Sequence, residues 1–186
     1  WLETVNIGHI ENINPVAGID NNMISIETGV KDAKEGDQLK IIISEGGNNI
    51  AEEIINAGAI AEVKLKDAKR WSPANPFLYD LKIQLVRNGQ VLDEVGSYFA
   101  MRKISLSPDK NGVQRLMLNN EFLFQFGMLD QGWWPDGLYT AATDEALQYD
   151  IVKAREMGFN MLRKHVKVEP ARWYYHCDKI GMMVWQ

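Results

Sequence analysis

Lys153-Ala154-Arg155-Glu156-Met157-Gly158-Phe159-Asn160-Met161-Leu162-Arg163 changes its period part-way along, and that change decides the fold of the second half of the chain. Before Gly158, Leu147, Ile151 and Ala154 recur at helical spacing. Thr143 followed by Asp144 and Glu145 suits the start of that helix: a hydroxyl caps free N–H groups, and acids meet the positive end of the helix dipole. Gly158 supplies the left-handed residue that ends such a helix, and Phe159–Arg163 then reads as a strand. Pro170 suits the first turn of a second helix with Trp173, Cys177 and Ile180 on one face and Gly181 as its stop, and Met182–Trp185 reads as the next strand. Upstream, Val113–Leu118 and Glu121–Phe126 flank Asn119-Asn120 as a short hairpin whose second arm runs on to Met128. Strand, helix, strand, helix, strand predicts parallel strands joined by right-handed crossovers, hence an α/β sheet or barrel. A closed eight-stranded barrel needs ~250 residues, so 105–186 predicts its first three strands and no more.

Residues 1–104 read differently. Short alternating runs dominate: Ile24, Ile26, Thr28 and Val30; Leu39, Ile41 and Ile43; Ala61, Val63 and Leu65; Leu81, Ile83 and Leu85. Each run predicts one buried face. Glu45-Gly46-Gly47-Asn48 and Arg87-Asn88-Gly89-Gln90 separate neighbouring runs, and Asn-Gly is a hairpin signal because both central residues must take positive φ. The pattern predicts an antiparallel β-sandwich of about seven strands, without the Cys–Trp–Cys trio of antibody domains. The whole chain is thus a multidomain β plus α/β protein: 1–104 the sandwich, 105–186 the incomplete α/β part.

Composition narrows the function. The formal net charge is −5 and no segment forms a basic stripe, which argues against a nucleic-acid surface. No apolar run approaches the ~20 residues that span a bilayer, and no signal segment opens the chain. Trp1-Leu2-Glu3 reads as mid-strand, so an upstream start is expected. Cys177 is the single cysteine and permits no internal disulfide. His9, His165 and His176 are not paired with other ligands at metal spacing, and glycine-rich phosphate loops and a nucleophile elbow are absent. No metal and no cofactor are expected.

The chemistry then rests on strand ends. In parallel α/β folds ligands sit at the carboxyl ends of the strands. The first strand runs into Asp130-Gln131-Gly132-Trp133-Trp134-Pro135-Asp136-Gly137-Leu138-Tyr139, a loop whose aromatic faces suit stacking on a pyranose and whose carboxylates suit its hydroxyls. Trp133 and Trp134 suit equally a plug for the barrel end or a neighbouring domain. Asp130 suits equally a turn cap. The second strand ends at Arg163-Lys164-His165, and alternation points Arg163 and His165 the same way, although Arg163 also suits an internal carboxylate pair. His176, mid-helix, is expected at the surface, and the Trp71–Pro76 loop is expected to be a structural turn between sandwich strands.

At these residues the chain resembles family 2 of the glycoside hydrolases, the β-galactosidase, β-glucuronidase and β-mannosidase group. Trp1-Leu2-Glu3 looks like the exit from that family's N-terminal jelly roll. Trp71-Ser72-Pro73-Ala74-Asn75-Pro76-Phe77-Leu78-Tyr79 is similar to its Trp-Ser-Pro sandwich segment, and Gly96 through Arg102 to its sandwich exit. Leu118-Asn119-Asn120-Glu121 resembles its Leu-Asn-Gly-Lys hairpin, Lys153–Arg163 its K-x-x-G-x-N-x-x-R pattern, and Cys177-Asp178-Lys179-Ile180-Gly181 its C-D-x-x-G pattern. The resemblance implies an immunoglobulin-like sandwich followed by the opening of a TIM barrel. It also implies a parent enzyme that cleaves β-glycosides with retention through two Glu residues about 5–5.5 Å apart. In the family those residues follow strands four and seven, so none of Glu145, Glu156 and Glu169 fills either role and the chain alone should be inactive. Arg163 and His165 match the family's strand-two Arg and the His after it. Lys164-His165-Val166-Lys167 departs from the galactosidase pattern, which has Ser before the His and Tyr-Pro after it. The mannosidase pattern, Arg followed by Trp and a glycine run, is absent, which leans the reading towards a galactosidase. The resemblance also leans towards a bacterial periplasmic or secreted enzyme.

The expected partner is a carbohydrate, bound by Asp130, Trp133, Trp134, Arg163 and His165. The competing reading is a non-catalytic carbohydrate-binding or interaction module whose sandwich is the working part. An Asn-Glu pair at the end of a fourth strand past Gln186 would favour the enzyme, and a stop there the module.

Overall fold

The computed structural model describes residues 2–186; Trp1 lies outside them. The chain is mostly β, with two short helices, and divides into two compact units: Trp1–Arg70 with Leu78–Lys103, and Trp71–Phe77 with Ile104–Gln186.

The first unit holds seven strands: β1 (His9–Gly18), β2 (Met23–Lys31), β3 (Gln38–Glu45), β4 (Asn48–Asn56), β5 (Ala61–Lys64), β6 (Tyr79–Arg87) and β7 (Gln90–Phe99). They form a three-stranded sheet in the order β1-β2-β5 and a four-stranded sheet in the order β4-β3-β6-β7, all neighbours antiparallel. Ile24, Ile26, Leu39, Ile41, Ile43, Leu81, Ile83 and Leu85 are all fully buried, with Val63 nearly so. Each such aliphatic contributes about 1.5–3 kcal/mol on leaving water. Register explains the pattern: Leu39, Ile41 and Ile43 stand opposite Leu85, Ile83 and Leu81, so one face of the central pair is continuously apolar. Asn88 (φ 51°) and Gly89 (φ 77°) turn β6 into β7 as the Asn-Gly signal requires. Leu2 and Glu3, expected mid-strand, carry no regular structure and are exposed. β1 has no clean apolar alternation and contains Pro15, which an edge strand tolerates.

The second unit opens with β8 (Ile104–Pro108), β9 (Gln114–Leu118) and β10 (Glu121–Phe122), an antiparallel sheet whose last hairpin turns at Asn119 and Asn120, both at positive φ. β10 is much shorter than Glu121–Phe126. The next strand, β11 (Gly127–Asp130), starts afresh and pairs in parallel with β12 (Met161–Lys164), which pairs in parallel with β13 (Met183–Trp185). Asn160 sets that register: its side chain accepts from Phe126 N at 2.8 Å and donates to Phe124 O at 2.9 Å.

Between the parallel strands run α1 (Asp144–Glu156) and α2 (Ala171–Ile180). Thr143 caps α1, its hydroxyl accepting from Ala146 N at 3.1 Å, and Gly181 ends α2 at φ 87°. Ile151, Ala154, Leu162, Trp173, Cys177 and Met182 form the core between helices and sheet. His176 is buried, against the expectation of a surface position, because Asp144 at the start of α1 takes its Nε2 at 3.0 Å. The Trp71–Phe77 loop is not a simple turn between strands of the first unit: it belongs to the second, where Trp71 is buried and the Pro73 carbonyl accepts from Arg155. No helix among the described residues is long and apolar enough to cross a membrane.

Candidate functional site

Parallel pairing brings the carboxyl ends of β11, β12 and β13 together, with Asp130 opposite Lys164 and Arg163 opposite Trp185. Alternation across β12 separates its residues. Leu162 and Lys164 are buried on the helix side, whereas Arg163 is exposed and in no ion pair among the described residues. His165 follows at the rim. Its backbone N–H donates to Asp130 O at 2.9 Å and its Nδ1 lies 3.0 Å from Gln131 Nε2. Arg163, His165, Val166, Lys167, Val168 and Gln186 border an open depression of ≈ 340 Å³.

Beneath the rim lies a buried charge cluster that the sequence reading did not pick out. Lys164 Nζ donates to Asp130 Oδ2 at 2.7 Å and to Glu169 Oε1 at 2.9 Å, and sits 4.2 Å from the centre of the Trp173 ring. Lys167 Nζ stands 3.1 Å from the same Glu169 oxygen and donates to the carbonyls of Gly132 and Tyr139, each at 2.7 Å. Side-chain exposure is 1% for Lys164, 4% for Glu169 and 5% for Lys167, so these charges depend on one another. Glu169 precedes α2 and anchors two lysines. Lys164 carried one legible signal, a charge two positions after buried Leu162 on the same strand face.

Asp130 caps the turn and also pairs with a buried lysine. Its Oδ1 caps the turn at Gly132 N, 2.8 Å away, and its Oδ2 pairs with Lys164. In the loop that follows, Trp134 and Leu138 exchange both backbone hydrogen bonds, at 2.8 and 3.0 Å. Trp133 and Tyr139 pack with ring centres 4.3 Å apart at 50°, and Trp133 keeps half its surface in solvent. Trp134 is only partly exposed. On the helix side, desolvation raises the Asp150 carboxyl above its ordinary range, and the negative charge of Asp130 adds to this.

Residues 16–102 match the family model described as glycosyl hydrolases family 2. The chain belongs to that family. Relatives support the family assignment over more of its length: a Formosa agariphila protein named as a β-glucuronidase is 27% identical over 167 residues, 87% of this chain. A β-galactosidase of Oenococcus oeni is 32% identical over 126 residues, 67% of this chain. In fold, a β-glycosidase from Bacteroides vulgatus superposes with a TM-score of 0.84 at 23% identity over 97% of the chain. This family 2 chain spans 16% and 12% of those two relatives' lengths and 24% of the solved chain.

Proposed function

We propose that this chain is part of a retaining β-glycosidase with a galactoside-like substrate. In this reading residues 1–104 are an immunoglobulin-like antiparallel β-sandwich and residues 105–186 the first three strands of a (β/α)₈ TIM barrel. Asp130, Trp133, Trp134, Arg163 and His165 are the sugar-facing rim. One observation supports it above the others: exposed Arg163 and half-buried His165 at the carboxyl end of β12, beside an aromatic loop held in a defined conformation. Guanidinium and imidazole N–H groups suit sugar hydroxyls, and the Trp133–Tyr139 pair offers a flat face for the apolar side of a pyranose. The family supports carbohydrate as the substrate class. The chain's share of the rim binds and orients; the two carboxylates that protonate the leaving group and attack the sugar belong to later parts of a full barrel. The test uses the longest form of the protein with nitrophenyl β-galactoside, β-glucuronide and β-mannoside, following the anomer of the first product by NMR. Turnover of galactoside with β-product is expected. Inversion, or no turnover of any of the three, overturns the reading.

A further inference from the structure

Lys167 is an odd residue to bury. Its side chain is 5% exposed, and although the residue borders the rim depression its ammonium donates to the carbonyls of Gly132 and Tyr139, which bracket the aromatic loop. Glu169, itself shared with Lys164 and so tied to Asp130, holds it there. Gly132 fits this arrangement narrowly. At φ 61°, a Cβ there would overlap Glu169 Oε1 and come within 2.9 Å of Lys167 Nζ. Trp134 with Leu138 and Thr140 N with Gly137 O join the loop only to itself, and the Asp130 cap on Gly132 and the Gln131–His165 contact hold only its first end, so Lys167 is the group that reaches both ends.

We propose that Lys167, held by Glu169, is a positioning residue that clamps both ends of the 131–139 loop and so fixes the Trp133–Tyr139 face at the rim. The proposal deepens the glycosidase reading and rests on it for the role of that face. A buried ammonium with two carbonyl acceptors is a rigid tie: releasing one end leaves a desolvated charge with a missing partner, which disfavours every open loop conformation.

The test uses the chain itself. Lys167→Met alone leaves Glu169 and Asp130 sharing one lysine, so the informative variant is Lys167→Met/Glu169→Gln, which keeps the buried charge balanced. Hydrogen exchange at Trp134, Leu138 and Thr140 should accelerate at least tenfold, while α2 amides stay within twofold of wild type. The near-ultraviolet circular dichroism assigned to the Trp133–Tyr139 pair, by difference from Trp133→Phe, should weaken. Gly132→Ala should reproduce both changes by a different route. Loop exchange unchanged in the double variant, or loop and α2 accelerating together, overturns the proposal. Where the double variant does not fold, Lys167→Gln/Glu169→Gln, also charge-balanced, supplies the same comparison. Titration of methyl β-galactoside into the wild-type chain, watched at the Trp133 indole by NMR, is the separate arm: failure to perturb it strikes the sugar-facing reading, whereas the exchange data judge the clamp.

Discussion

The indole N–H of Trp71 donates to the backbone carbonyl of Asp178 at 2.7 Å, joining residues 107 positions apart at the end of α2. Nearby, Asn119 Nδ2 donates to Trp71 O at 2.9 Å, and a Cβ at Gly181 would come within 2.7 Å of Pro73 O. Trp71–Phe77, from one segment that resembles a family motif, and Cys177–Gly181, another such segment, are thus one packing contact within the second unit. Trp71→Phe keeps an aromatic ring but removes the donor. It should cost about 1–3 kcal/mol, read as faster hydrogen exchange along α2. Unchanged exchange would show that the bond contributes nothing.

Asp37 anchors the first unit by charge. The Arg87 guanidinium, donating to both its oxygens at 2.7 Å, and next the Lys34 backbone N–H, hold its carboxyl down from an ordinary 3.8 to about 2. A depressed carboxyl stabilises the fold above its unfolded value and loses that contribution as pH falls through its folded value. The stability of the first unit should therefore fall between about pH 4 and pH 2, and Asp37→Asn should be less stable at pH 6 but less sensitive over that interval. Denaturant midpoints of both proteins at pH 6, 4, 3 and 2 measure this; parallel curves would contradict it.

Burial, with the negative charge of Asp178 adding to it, pushes the Cys177 thiol far above its ordinary range. The thiolate is the reactive form, so Cys177 should resist a thiol-directed disulfide reagent at pH 8 in the folded chain and react at once in denaturant. Fast labelling of native protein would mean that the helix–sheet core opens.

Residues with strong period were legible in the sequence, and those defined by neighbours were not. Ile41 and Ile83 announce their burial by alternation alone. β1 does not, since Asn12, Asn14 and Pro15 break the pattern and its pairing comes from β2. His176 was misread although the signal was present: it follows Trp173 by three positions and so shares its face. The rim positions of Arg163 and His165 followed from strand ends. The Lys164–Glu169–Lys167 cluster did not, because it exists only once parallel register sets Asp130 beside Lys164 and the chain folds Glu169 back beneath both lysines.

In the longest form of the protein, Arg163→Ala and His165→Ala should each lower kcat/KM by roughly 10²-fold, ~2.7 kcal/mol of transition-state stabilisation, with the fold intact. His165→Ala should also free the Gln131 amide, so the companion Gln131→Ala tests whether that hydrogen bond aligns the ring. A smaller loss in Gln131→Ala than in His165→Ala is expected. Wild-type kinetics in both rim variants would remove them from the site.

The 186-residue chain itself should hydrolyse no aryl β-glycoside above background. Retaining cleavage needs a carboxylic acid and a carboxylate facing one another across the glycosidic bond, about 5–5.5 Å apart and both free to meet the sugar. The rim offers Asp130, and Glu169 lies buried beneath it, but each is engaged with the buried Lys164 between them, and Asp130 also caps Gly132. Asp150 has the raised carboxyl that suits an acid, yet it lies on α1, on the helix side of the sheet, opposite the face that presents Arg163. Positioning groups alone cannot supply proton transfer and nucleophilic attack. Nitrophenyl glycosides of galactose, glucuronic acid and mannose, incubated with chain purified to constant specific activity, measure it. Turnover that tracks the protein through the last column and disappears in Asp150→Asn would show that the helix-side carboxyl reaches substrate after all; turnover lost instead in Glu169→Gln would make the buried cluster the source of the catalytic carboxylates.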